Sequence, residues 1–160
     1  MEYRNMLVRG IVAVSSLFGI QPAFAADDNY AVKFNIGIVE SWRVKPAGVI
    51  KWCRDADPSG AALRESSYRD WLAKNDELIQ RINENVQVIV PLISPSKNPN
   101  VNVVEAVRAH IAIETDRVNF LGKDSNEVAS FCKAYTIEPE NAHVRRALLE
   151  LEKWRAQTVR

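Results

Sequence analysis

Apolar residues recur at Tyr68, Leu72, Ile79, Ile82, Val86, Ile89 and Ile93, with Asn75 as the one polar interruption. Steps of three, four and seven keep these positions on one face of an α-helix, so the pattern predicts a single long helix between Asp57 and Ile93. Asp57 suits its start as an acceptor for an orphan amide, and Pro58 suits the first helical position. Pro91 and the cluster from Ser94 to Pro99 mark its end. Such a helix would run roughly 50 Å at 1.5 Å per residue, which implies an elongated bundle or a bend in the helix.

The flanking stretches follow the same period less cleanly. Tyr30, Val32, Phe34, Ile36 and Ile38 alternate as in a strand, whereas Val32, Ile36, Val39 and Trp42 fit a helix. No other stretch offers a strand to pair with, so a helix is expected here, at a cost of up to about 1 kcal/mol for Gly37. An edge that adds to a partner's sheet is the alternative. Lys45 and Pro46 are expected to break this helix, with a short helix from Pro46 to Arg54 carrying Val49, Ile50, Trp52 and Cys53.

Beyond the loop around Pro95, Asn102 and Glu105 form a capping-box-like start. Val104, Val107, Ile111, Val118 and Leu121 form the stripe of that helix, and Gly122 its left-handed end. A connection of about six residues sets this helix antiparallel to the long one. Asp124 and Glu127 repeat the capping pattern before a helix with Val128, Phe131, Cys132 and Tyr135 on one side. A last helix is expected from Pro139, with Val144, Leu148, Leu151 and Trp154 buried. The fold class read from the sequence is all-α: an elongated bundle of four or five helices in one domain, residues 26–160.

The first 25 residues read as a signal peptide, removed from the mature protein. Arg4 and Arg9 precede the apolar run from Ile11 to Ile20, and Ala23, Phe24 and Ala25 make a small-x-small cleavage site. That run is too short to anchor in a bilayer, so no stable membrane insertion is expected after cleavage. The destination is the periplasm or the exterior. There, Cys53 and Cys132 are expected to form one disulfide.

Charge narrows the partners. Removing Arg4, Arg9 and Glu2 from 21 basic and 20 acidic side chains leaves 19 of each. No basic face is legible that would neutralise a row of phosphates, which argues against nucleic acid. Both methionines, Met1 and Met6, lie in the leader, so the mature chain has no thioether ligand, and no cofactor is implied.

Candidate chemistry is sparse. His110 and Glu114 share a helix face, half of a metal site that would need a third ligand from elsewhere, with His143 the other histidine. The same pair could line the cleft of an enzyme acting on envelope glycan or peptide. Hydrolase motifs of the GxSxG and HExxH kind are absent. The preferred expectation is a non-enzymatic protein that binds another protein, as a chaperone, an inhibitor or immunity protein, or an envelope-complex subunit. Tyr68, Trp71, Val88 and Val90 are the binding residues this reading selects. The four tryptophans, Trp42, Trp52, Trp71 and Trp154, are expected to fill the core or its rim, with an exposed pair of them, as a binding anchor, the alternative.

Overall fold

The computed structural model describes residues 29–95, 98, 102–120, 122–139 and 141–159; their regular elements are helices, with no strand among them. The leader lies outside the described residues. In chain order the helices are α1 (Tyr30–Ala56), α2 (Ala61–Lys74), α3 (Asp76–Ile93), α4 (Val103–Phe120), α5 (Ser125–Ala134) and α6 (Ala142–Thr158), with a 3-10 turn, Pro58–Gly60, before α2. Among the described residues six helices replace the four or five expected.

The architecture is organised around α1, which touches each of the other five helices. It buries Val32, Ile36, Val39, Trp42, Val49, Ile50 and Cys53, confirming the helical over the strand reading of its first half. Pro46 does not break it. The proline is buried inside the helix, and the pairing of α1 with α4 runs through it unchanged. Glu40 meets Arg108, a Cβ at Gly48 would lie 2.6 Å from Asp116 Oδ1, and Trp52 stacks on Phe120. Each pair is separated by the same 68 residues, so α1 and α4 run parallel and in register past the proline. An interior proline costs a helix about 3 kcal/mol or more, and here packing along both sides of it offsets that cost.

The predicted long helix breaks instead at Asn75. Its backbone leaves the helical region (φ −113°, ψ 12°), and its Nδ2 donates to the carbonyl of Trp71 at 2.7 Å. Asn75 N also donates to Trp71 O at 3.1 Å and to Leu72 O at 3.2 Å, so the last turn of α2 tightens before the backbone turns away. The Asn75 carbonyl then accepts from Ile79 N, while Asp76 and Glu77 begin α3 where the helix dipole favours negative charge.

Other ends match the sequence closely. Asn102 Oδ1 accepts from Glu105 N, Gly122 has φ +79°, and Asp124 with Glu127 makes a complete capping box. Two starts need correction. The Asp57 carboxylate makes no cap bond and is taken by Ser59 and Arg64. The last helix begins at Ala142, where Asn141 Oδ1 accepts from His143 N and Val144 N; Pro139 lies before it in a non-helical segment.

Two apolar clusters form the interior. The larger gathers residues from α1, α2, α3, α4 and α6, including Ile36, Val39, Ile82, Val86, Ile89, Leu148 and Leu151. The smaller contains Val49, Cys53, Phe120 and Cys132, with Val128, Phe131 and Tyr135 packed around it. Cys53 and Cys132 form the expected disulfide, with Cα atoms 5.4 Å apart. No helix among the described residues is long and apolar enough to cross a membrane.

Candidate functional site

The end of the molecule around the smaller cluster combines an exposed aromatic ring with rigid backing. Cys53 must face inward to reach Cys132, and the preceding residue is rotated about 100° around α1. This turns Trp52 to the rim, where it is 45% exposed. Its indole lies on the ring of Phe120 at 4.8 Å between centroids and 13° between planes. Phe120 is buried and meets Phe131 edge-on at 5.6 Å, and Phe131 in turn contacts Tyr135 at 5.7 Å. Lys123 Nζ sits 4.9 Å from the Phe131 ring centre, a cation over a π face. A run of four rings therefore joins α1, α4 and α5, with only the first presenting much of its surface to water.

Behind this ledge lies a buried ionic clamp. Arg64 Nη1 donates to Asp57 Oδ2 at 2.7 Å and to the carbonyl of Cys132 at 3.2 Å. Its Nη2 donates to the carbonyl of Cys53 at 3.1 Å and to that of Asp57. Ser59 Oγ donates to the other carboxylate oxygen of Asp57 at 2.6 Å. The Ser59 hydroxyl, then the Arg64 guanidinium, hold the Asp57 carboxyl below the usual aspartate range. Burial, with the Glu138 charge adding to it, pushes the Tyr135 phenol up, so it remains protonated.

A second buried ionic group lies farther along α1. Glu40 is fully buried, with Oε2 accepting from Arg43 Nε at 2.8 Å and Nη2 at 2.6 Å, and Oε1 from Arg108 Nε at 3.2 Å. Arg108 also donates to Asn83 Oδ1 at 2.6 Å, drawing α3 into the group. Both carboxylate oxygens are thus committed to guanidinium donors.

The residues selected from the sequence fall elsewhere. Trp71 and Val90 are buried, and Tyr68 and Val88 are half-buried. Trp71 packs on Trp42 at 4.8 Å, and its Nε1 donates to the carbonyl of Glu138 at 3.1 Å. The four therefore line the interior and its margin and do not form an open face. His110 is exposed and Glu114 half-buried on α4, and His143 is exposed in the first turn of α6. No group of three or more metal-ligating side chains occurs among the described residues.

Sequence reasoning missed Trp52, Arg64 and Glu40. Glu40 follows Ile36 by four residues on the apolar stripe of α1, a placement that signals a buried carboxylate in need of a partner. Trp52 carried the signal of being next to an inward cysteine. No family model, no curated protein and no solved structure matches the chain.

Proposed function

We propose that the protein is exported to the periplasm or the exterior and acts without catalysis, by binding another protein through the ledge headed by Trp52. The observation that carries this reading is the stacked, half-exposed indole on a buried Phe120. A tryptophan held by stacking has little rotamer freedom left to lose on binding, and large rigid aromatics are the side chains that most often anchor interfaces. The disulfide supports the oxidising destination, since such bonds persist outside the reducing cytosol. The expected partner offers an apolar pocket for the indole.

Placing a photoreactive phenylalanine at position 52 of the full chain, in cells that export it, tests this reading. Position 63 serves as comparison, because Leu63 is apolar and 74% exposed. A discrete adduct is expected from position 52 and not from 63, competed by purified wild-type protein and not by the Trp52→Ala variant. Identical adducts from both positions, or equal competition by Trp52→Ala, would rule out the ledge as the docking surface.

A further inference from the structure

The bonds made by Arg64 single out the disulfide as more than a passive staple. The guanidinium is buried and donates to the backbone carbonyls of both half-cystines, one at the end of α1 and one on α5. Asp57 fixes it from a third side, and Ser59 fixes Asp57. Gly60 makes room for the arrangement: a Cβ there would contact the Arg64 guanidinium and lie 2.7 Å from Asp57 Oδ2. None of these contacts involves sulfur, so none is lost when the disulfide is reduced. Charge-assisted bonds of this kind are roughly twice as strong as neutral ones.

We propose that Arg64 is the positioning residue of a redox latch, holding the Cys53 and Cys132 segments together through their carbonyls so that the disulfide opens and closes in place. The reductant is a dithiol. One of its thiolates attacks a cysteine sulfur, expels the other as a thiolate and forms a mixed disulfide. Its second thiol then displaces the remaining cysteine and closes the reagent's own disulfide, so two electrons pass to the protein and two protons end on its thiols. Both cysteines are essentially inaccessible, at 0% and 1% exposure, so attack requires α5 to lift away from α1. The clamp opposes that opening and returns the thiols to each other afterwards. In exchange terms, Arg64 raises the effective concentration of one thiol at the other.

Equilibrating the protein with reduced and oxidised dithiothreitol measures that effective concentration directly. The Arg64→Met variant is expected to lower it about tenfold or more, because ionic hydrogen bonds between the two segments are lost. Ile82→Val serves as comparison, since it weakens the larger core, away from the cysteines, in oxidised and reduced protein alike. It should leave the value within about twofold. Arg64→Lys, which keeps the charge and loses the fork, should not restore the wild-type value. An unchanged value in Arg64→Met, or an equal fall in Ile82→Val, overturns the proposal. A second measurement covers failure of the variants to fold: in reduced wild-type protein the α5 amides should stay protected from hydrogen exchange, and their loss of protection on reduction would equally overturn it.

Discussion

Reducing the Cys53–Cys132 bond is expected to lower the urea midpoint of unfolding by roughly 1–3 M, and Cys53→Ala should do the same. The bond closes a loop across 79 positions. In the chain-entropy model, restricting the unfolded chain over that span contributes about 4.5 kcal/mol, with measured disulfides more often at 2–4. A small domain holds only about 5–15 kcal/mol in total, so the loss takes a large share of its stability. Reduction removes no packing atoms, whereas the alanine also leaves a small void. Agreement between the two identifies the cross-link as the cause, and equilibrium unfolding in urea, with and without reductant, is the check. An unchanged midpoint would mean that the disulfide restricts the unfolded chain no further than the reduced chain is already restricted.

The other large effect is expected at Glu40. Glu40→Ala would leave Arg43 and Arg108 facing each other beside an apolar core, with Glu105, 3.4 Å from Arg108 Nη1, as the remaining anion. Removing one partner from a buried ionic group typically costs about 3–5 kcal/mol, mostly because the remaining charge is stranded. Glu40→Gln keeps the shape and one acceptor oxygen and should cost less. Replacing Glu40, Arg43 and Arg108 together by Met or Leu is expected to restore most of the loss, since well-packed apolar residues often substitute for such groups without penalty. Urea titration of the three variants separates these outcomes. A triple variant as unstable as Glu40→Ala would show that the group supplies net stability beyond satisfying its own charges.

Features written in a few adjacent residues were legible before the structure. The Asp124–Glu127 capping box, the Asn102 start, the Gly122 end and the Cys53–Cys132 pairing all depend on local chemistry or on compartment. The two breaks show where local rules stop. Pro46 carries a strong breaking signal, yet α1 continues through it because neighbours pack on both sides of it. Asn75 is the one polar position in an otherwise continuous apolar period, and α2 ends there as its backbone leaves the helical region. The period survives the break because both helices bury faces in the same core, and hydrophobic spacing alone cannot register a change of direction between them.

The candidate site was less legible for a related reason. The exposure of Trp52 follows from Cys53 turning inward, which is a local inference. Its backing by Phe120 depends on the parallel register of α1 and α4, a pairing between residues distant in the chain. Trp71 looked like an equally good anchor, but the non-helical segment before α6 folds over it: Glu138 accepts from Trp71 through its carbonyl and from Lys45 through its carboxylate. The Arg64 clamp likewise unites four segments, and no spacing in the sequence announces it.

The account joins the ties between α1 and α5 to the presentation of the aromatic ledge, since Phe131 meets Phe120 only while α5 stays docked. Photocrosslinking from position 52 in the chain that also carries Cys53→Ala, Cys132→Ala and Arg64→Met, and so lacks both the disulfide and the clamp, tests that link most directly. The yield of the competable adduct is expected to fall about tenfold, to the level given by position 63, while far-ultraviolet circular dichroism keeps its helical form. An undiminished yield from the disulfide-free chain would contradict it.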